Sequence, residues 1–327
     1  MTVVRESPRE GPPESFLEQI AVSVHLRRYK EEVYTVLATY LDESFDMGKR
    51  GIYAVGGITA RGLPLFELDR KWEALLKKIG IAYYKASECE MGTGEFAKFV
   101  KTERNPTLNE RENLTEISHQ FVSLIATEPN LVVYGVGVIQ PDFYEVIKDS
   151  YAHSVLGNDP FPLAYDLAMV QAAWMMKSTE KQKAAAQQPW QSVERFVTSF
   201  VRDDHQIYGP LAGERYIKLK ASNAEAERYM GAHTIADDKK VFVLQAADAV
   251  AYEIRRVLHL AHKQRKESMR GQFKLFRDHS RMATIHTAVK QNLLNTVALH
   301  KPGDSFNLSD IMETEYPENI RIEEEMM

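Results

Sequence analysis

The sequence has 327 residues, of which 44% are apolar and 27% are charged, a composition typical of globular proteins rather than of disordered or collagen-like chains. Its formal net charge of −5 argues against a general coat of positive charge for nucleic acid, and no apolar run approaches the ~20 residues that cross a bilayer. The single cysteine, Cys89, excludes an intrachain disulfide and a cysteine-rich zinc site, and it favours a reducing, cytoplasmic setting.

The first half of the chain alternates strand-like and helix-like segments. Residues 1–31 are predicted to form a polar leader and a short helix, and β-branched and aromatic residues then predict a hairpin of strands over 33–44 and 52–58. Apolar residues at helical spacing predict a helix over 65–79. The next predicted elements are a short strand over 81–88, a helix over 107–127 and a buried strand over 131–140.

The second half continues this alternation. Its predicted elements are a helix over 161–185, a strand over 195–204 and a long helix over 239–268. Strands that alternate with helices predict an α/β layered sheet. Residues 32–267 would form this domain, and residues 268–327 would form a helical extension with an acidic tail.

Four carboxylates occur either where predicted strands end or on a buried helical stripe. Asp42 and Asp203 close two of the strands, Glu88 follows the short strand, and Asp248 lies within an apolar helical segment. Acids at the carboxyl ends of separate strands can converge at one edge of a sheet. Each also has a simpler interpretation, as a cap, a turn or a surface acid or, for Asp248, as an ion-pair partner of Arg255 or another basic residue.

A converging group of carboxylates needs protons or a cation. Two unit charges ~4 Å apart repel by about 4 kcal/mol at an effective dielectric constant of about 20. Oxygen ligands without cysteine or histidine suit Mg²⁺ or Mn²⁺. Two such ions can activate water and stabilise the leaving oxygen when a phosphodiester bond is cleaved. Convergence of these acids would therefore predict a metal-dependent hydrolase.

Several short strings carry a resemblance to one known family: TYLDES, YAVGGI, YYKASE, FVRDD and ADDKKVFVLQAADAVAYEIRR. Over residues 35–262 the chain resembles the bacterial and phage family catalogued as domain of unknown function 3800, and the last string is the most specific of the five. The resemblance implies a ribonuclease H-like fold, a mixed sheet flanked by helices, with a metal-dependent nuclease site. It also implies a setting in phage-related or mobile-element defence.

The resemblance further implies roles for individual residues. The carboxylates that bind Mg²⁺ or Mn²⁺ would be Asp42, Glu88, Asp203 and Asp248. The residues beside them that shape the site would be Glu43, Ser44, Lys85, Asp204 and Gln245. Asp204 would be able to replace its neighbour in register. Lys85 stands where many relatives carry histidine, so it would orient a phosphate as a point charge rather than act as a histidine base.

A basic segment follows the last of these strings. Residues 255–281 hold nine Lys or Arg against two acids, a local excess of seven positive charges in a chain of net charge −5. The segment is either a solvated helix face or a strip that follows phosphates away from the acidic centre. The residues predicted to contact nucleic acid are Arg255, Arg256, Lys263, Arg265 and Lys266.

These observations together predict a metal-dependent nuclease that hydrolyses phosphodiester bonds in RNA or DNA, with Mg²⁺ or Mn²⁺ as cofactor. A non-catalytic binding or scaffold protein that keeps the same fold is the alternative. Hydrolysis of a nucleotide rather than a polymer is a third hypothesis. The first hypothesis requires the carboxylates to converge, whereas the second predicts acids that are spread apart or paired with arginine.

Overall fold

The computed structural model describes residues 33–46, 50–100, 110–186, 194–204, 208–222, 224–263, 271–279 and 282–288, together with residues 290, 293, 294 and 297. The leader and short helix predicted over residues 1–31 and the acidic tail predicted from residue 310 lie outside the described residues.

The strands of the described chain join in one mixed sheet. They are β1 (Val33–Phe45), β2 (Ile52–Ala60), β3 (Leu131–Ile139), β4 (Glu194–Asp203), β5 (Met230–Ala236) and β6 (Met282–Ala288). Their order across the sheet is β5-β4-β1-β2-β3-β6. Strand β2 is antiparallel to β1 and β3, whereas β4 runs parallel to β1 and β5, and β6 runs parallel to β3. The prediction of an α/β protein with a mixed sheet is confirmed.

Helices cover both faces of this sheet. They are α1 (Gly62–Ile79), α2 (Ala86–Met91), α3 (Glu110–Thr127), α4 (Gln140–Ile147), α5 (His153–Leu156), α6 (Phe161–Ala186), α7 (Tyr208–Ser222), α8 (Ala224–Tyr229), α9 (Phe242–His262) and α10 (Gly271–Asp278). Helix α9 packs on β1, β2 and β3 on one face, and α6 packs on β2, β3 and β4 on the other. Each face therefore has its own apolar core.

Helix α1 shows how the apolar pattern builds one of these cores. Leu65, Leu68, Trp72 and Leu76 recur at helical spacing, and all four are buried. The helix ends at Gly80, which adopts a left-handed φ of 78° and donates its N–H to the Leu76 carbonyl at 2.8 Å. The sequence prediction of this helix is confirmed.

Two predicted elements differ from the structure. The stretch over 81–88, predicted as a strand, does not join the described sheet and enters α2 instead. The backbone N–H groups of Tyr84 and Ala86 donate to side chains of α9 rather than to a neighbouring strand. The prediction of helix throughout the extension from residue 268 is wrong, because α10 is followed by β6 at the edge of the sheet.

Candidate functional site

Two neighbouring strands place aspartates side by side. Strands β1 and β4 are parallel, and their register keeps Tyr40 beside Val201. Both of these residues belong to the core on the face that α9 covers. Because side chains alternate along a strand, Asp42 and Asp203, two residues further on, lie on the same face and at the same level.

A third aspartate follows the next strand. Strand β5 pairs in parallel with β4, and Asp238 lies two residues beyond the end of β5. Its backbone N–H donates to Oδ1 of Asp203 at 3.2 Å. The backbone N–H of Asp204 donates to the Ala236 carbonyl at 3.0 Å, which holds the two strand ends together. Strands β1, β4 and β5 therefore each deliver one aspartate to the same edge of the sheet.

Helix α9 adds a fourth aspartate. Gly56 of β2 pairs with Asp42, and a Cβ at Gly56 would lie 2.6 Å from the Cα of Ala251 in α9. Because glycine has no Cβ, α9 can pack closely against the sheet at this position. Asp248, about one turn before Ala251, is 8% exposed and acts on Asp42 through its charge. Its Oδ2 accepts the backbone N–H of Ala86 at 2.7 Å.

Burial and mutual repulsion raise the pKa of three of these carboxyl groups. For Asp42, burial and then the charges of Glu43 and Asp248 hold the pKa well above its ordinary value. Burial raises the pKa of Asp248 to about 6. Burial and the charge of Asp203 raise the pKa of Asp238. The four residues, called here the aspartate group, are Asp42, Asp203, Asp238 and Asp248.

The ammonium group of Lys85 lies where the charges of the whole aspartate group act on it. Lys85 immediately precedes α2, and its side chain is exposed to solvent. Partial burial lowers its pKa, but the charges of the aspartate group outweigh burial and raise the pKa above its ordinary value. Within the described residues the ammonium makes no direct ion pair, so it compensates these carboxylates through space.

The side chain of Gln245 in α9 holds two backbone segments that flank the aspartate group, one at Tyr84 and one at Asp238. Its Oε1 accepts the indole N–H of Trp72 at 3.0 Å and the backbone N–H of Tyr84 at 2.9 Å. Its Nε2 donates to the carbonyl of Asp238 at 2.8 Å. The side chain is buried, and these bonds connect α1, the segment before Lys85 and the segment after β5. Gln245 is therefore a positioning residue for the group.

Glu88, predicted as a metal ligand, is engaged elsewhere. It lies within α2, where its Oε2 accepts the hydroxyl of Tyr83 at 2.9 Å. Its carboxyl carbon would lie 2.6 Å from a Cβ at Gly94. None of the interactions described for the aspartate group involves Glu88. Asp204, predicted to substitute for Asp203, lies just beyond the end of β4 and has an exposed side chain.

The sequence interpretation missed Asp238, although the signal was present. Asp238 follows the β-branched stretch over 234–236, just as Asp42 and Asp203 follow their strands. Strand β5 is seven residues long and mostly half-buried, so it lacks the continuous apolar run of β3. The same rule of acids at strand ends would have included Asp238 once β5 was recognised.

The opposite face of the same strand ends carries an ion pair. Glu43, next to Asp42, accepts a hydrogen bond from Nη2 of Arg202 at 3.3 Å. The Arg202 guanidinium is buried and lies over the rings of Phe161 and Tyr165. Glu43, predicted to adjoin the metal ligands, therefore points away from the aspartate group but acts on it through its charge.

Ser44 and Arg255 belong to a separate polar cluster along α9. The Oγ of Ser44 accepts Nε–H of Arg255 at 3.0 Å, and the same guanidinium pairs with Asp46. Nδ1 of His259 lies 2.8 Å from Oδ2 of Asp46. The charge of Arg255 is thus compensated within the chain, and the ion pair of Asp248 with Arg255 considered from sequence does not occur in the described structure.

The remaining predicted nucleic-acid residues divide into three cases. Nη1 of Arg256 pairs with Glu90 at 2.7 Å, so its charge is also compensated internally. Lys263 is exposed just beyond α9. Arg265 and Lys266 lie outside the described residues. The paired arginines weaken the prediction that this helix presents a basic strip to phosphates.

The aspartate group has the donor chemistry of a magnesium or manganese site but not its arrangement. Carboxylate oxygens are the ligands that these ions prefer. Within the described residues, however, no three His, Cys, Asp or Glu side chains are disposed to hold one metal ion. The implied Mg²⁺ or Mn²⁺ therefore does not fit the group as it stands.

An apolar groove of about 870 Å³ opens at the opposite end of β1 and β2. The residues that line it include Leu37, Ala60, Leu63, Val132 and Trp174. Leu63 and Trp174 are 71% and 52% exposed. The groove shares no residue with the aspartate group and is a separate feature of the surface.

Neither a protein-family model, nor a curated protein, nor a solved structure matches this chain. None of the helices in the described ranges combines the length and the apolar character that crossing a bilayer requires.

Proposed function

We propose that this chain is a ribonuclease H-like hydrolase that cleaves phosphodiester bonds in RNA or DNA at the aspartate group. The observation that carries the proposal is the convergence of four aspartates from β1, β4, the segment after β5 and α9 around Lys85. The strand order β3-β2-β1-β4-β5, with β2 alone reversed, supports the ribonuclease H-like architecture that the family resemblance implies.

The chain's own residues have chemistry suited to this reaction. The pKa of Asp248 is about 6, so this carboxyl group can hold or release a proton near neutral pH. Burial and the charges of Glu43 and Asp248 hold the pKa of Asp42 well above its ordinary value. Lys85 is exposed beside these carboxyl groups and can bind a phosphate oxygen as a point charge. We assign no step to the Mg²⁺ or Mn²⁺ that the resemblance implies, because the aspartate group as it stands does not fit such an ion.

The solvent-exposed residues beside the aspartate group support binding of a phosphate backbone. Lys239 is exposed, and its ammonium lies 5.4 Å from the centre of the Tyr83 ring. With Lys85 it places two cations beside the carboxylates, and the half-buried tyrosine ring adds a surface on which a base can stack. These residues, rather than the paired arginines of α9, are the proposed contacts to nucleic acid.

The test is a nuclease assay on the full chain with single- and double-stranded RNA and DNA, in Mg²⁺, in Mn²⁺ and in EDTA. Asp42→Asn and Asp248→Asn are expected to lower the cleavage rate by at least about 100-fold, because each removes one carboxyl group of the proposed site. Asp237→Asn is the matched control, since this neighbour of Asp238 is exposed and pairs with Lys240. Equal cleavage by the wild type and all three variants would contradict the proposal.

A second candidate function is a non-catalytic binding or scaffold protein that keeps this fold. It is favoured by the lack, within the described residues, of three acids disposed to hold a metal ion. It predicts that the wild-type chain cleaves no substrate in any of the three conditions, while its thermal unfolding still shows one cooperative transition.

A further inference from the structure

The backbone on both sides of Lys85 is fastened to α9. The N–H of Tyr84 donates to Gln245 at 2.9 Å, and the N–H of Ala86 donates to Asp248 at 2.7 Å. Both of these neighbours are buried, and the backbone of Lys85 is extended, with φ −133° and ψ 120°. The side chain of Lys85 therefore starts from a fixed point at the rim of the aspartate group.

The charges around this point are strongly unbalanced. Asp42, Asp203, Asp238 and Asp248 act on Lys85, and Lys85 is the cation that acts on both Asp42 and Asp248. The other nearby cation, Lys239, acts on Asp238. Arg255 and Arg256 are occupied by Asp46 and Glu90. The group therefore has a tethered positive charge at its rim, while its acids are not disposed to hold a metal ion.

We propose that Lys85 is the resident counter-cation of the aspartate group, so that its ammonium and a divalent cation compete for the same carboxylates. The aspartate group offers the carboxylate oxygens that a divalent ion prefers, but its acids are not disposed to hold one. On this proposal the reason is that the Lys85 ammonium already supplies the compensating positive charge. A tethered ammonium costs little entropy to bring to the site, and it does not have to shed the tightly held water of a free divalent ion. The proposal concerns the same group as the proposed function, but it does not require hydrolysis.

The size of the expected effect follows from simple electrostatics. Removing one positive charge several ångströms from a bound dication relieves a repulsion of the order of RT ln 10 or more, even at high dielectric constant. Replacing Lys85 by a neutral residue should therefore strengthen Mn²⁺ binding by at least about tenfold. Replacing it by arginine, which keeps the charge, should leave Mn²⁺ binding close to that of the wild type.

The experiment measures free Mn²⁺ in equilibrium with the full chain by electron paramagnetic resonance. The proteins compared are the wild type, Lys85→Met, Lys85→Arg, the double variant Lys85→Met/Asp248→Asn, and Lys78→Met. Lys78 lies at the exposed end of α1, so its variant controls for the loss of one charge anywhere on the protein. Thermal unfolding of each protein, with and without Mn²⁺, is a second readout.

Among the proteins compared, only Lys85→Met is expected to bind Mn²⁺ at least about tenfold more tightly than the wild type. Its unfolding temperature should also rise more on addition of Mn²⁺ than that of the wild type. The added Asp248→Asn should reverse both effects. Equal Mn²⁺ affinity in the wild type and Lys85→Met overturns the proposal, as does equal strengthening in Lys78→Met. If Lys85→Met does not fold, Lys85→Gln takes its place with the same expectations. If neither neutral variant folds with or without Mn²⁺, the divalent ion cannot replace the ammonium, and the proposal is again overturned. Because no substrate is used, failure here is distinct from failure of the proposed hydrolysis.

Discussion

Adjacent residues at the ends of β1 and β4 serve opposite faces of the sheet. Glu43 and Arg202 form a buried ion pair on one face, whereas Asp42 and Asp203 lie together on the other. The strand-end pattern was enough to predict Asp42 and Asp203. The role of Glu43 depended on the register of two strands about 160 residues apart in the chain, which is not visible in either segment alone.

The raised pKa of Asp248 makes the stability of the chain depend on pH. Its folded-state pKa of about 6 lies above its ordinary value of 3.8, so the folded chain holds a proton that the unfolded chain has released. The stability that this bound proton contributes is fully present below pH 3.8, the ordinary pKa, and it is lost as pH rises through about 6. Burial is the largest cause, and the charged groups that also act on it are Lys85, Asp238 and Glu43.

We therefore expect Asp248→Asn to stabilise the protein at neutral pH. The free energy of unfolding of the variant should exceed that of the wild type by on the order of 3 kcal/mol near about pH 7.5, and the gap should nearly close near about pH 4. The variant amide can still accept the N–H of Ala86. Urea unfolding at both pH values measures the difference.

Asp237→Asn is a control, because the pKa of Asp237 is shifted in the opposite direction from that of Asp248. A hydrogen bond from the backbone of Lys239 and then one from the Lys240 side chain hold the pKa of Asp237 below its ordinary value. This variant should therefore gain no stability relative to the wild type as pH rises. A gap between Asp248→Asn and the wild type that stays constant across the pH range would show that Asp248 ionises normally in the folded chain.

Among the elements, the contact between α9 and β2 decides where Asp248 lies. Its sequence signal was the run LQAADAVAYEI, in which Leu244, Ala251 and Tyr252 share one helical face with the aspartate. That pattern was enough to predict the helix and a buried carboxylate. It could not show which strand the helix crosses, because this depends on Gly56, which has no local pattern of its own.

Gly56→Ala is expected to lower the free energy of unfolding by about 1–3 kcal/mol, because the new methyl group would meet the backbone of α9 and force the helix off the sheet. Gly213→Ala is the matched control in α7, where nothing lies within 4 Å of the added Cβ. That change should raise stability by about 0.4–1 kcal/mol through the lower entropy of the unfolded chain. Calorimetric unfolding measures both, and wild-type stability of Gly56→Ala would contradict the close approach of α9.

At the scale of the whole molecule, the C-terminal segment is part of the sheet rather than an appendage. The helical pattern after residue 268 correctly indicated α10 but not β6, whose stability comes from pairing with β3 rather than from its own short sequence. The segment over 81–88 was wrongly predicted as a strand, because its own sequence suggests a strand but its contacts with the rest of the chain do not form one. Its backbone donors are taken by Gln245 and Asp248 of α9.

Truncation distinguishes a strand of the sheet from a separable extension. Strand β3 is almost wholly apolar and buried, and without β6 one edge of it would present unpaired N–H and C=O groups along an apolar strand. Leu293, beyond β6, is also buried in the core that α6 covers. A chain ending at residue 281 should therefore form oligomers or aggregates and unfold at a lower temperature. A chain ending at residue 300 retains both features and should associate less and unfold at a higher temperature than the chain ending at residue 281, by light scattering and calorimetry. If the chain ending at residue 281 were monodisperse and equally stable, the sheet would be complete with five strands and the segment a true appendage.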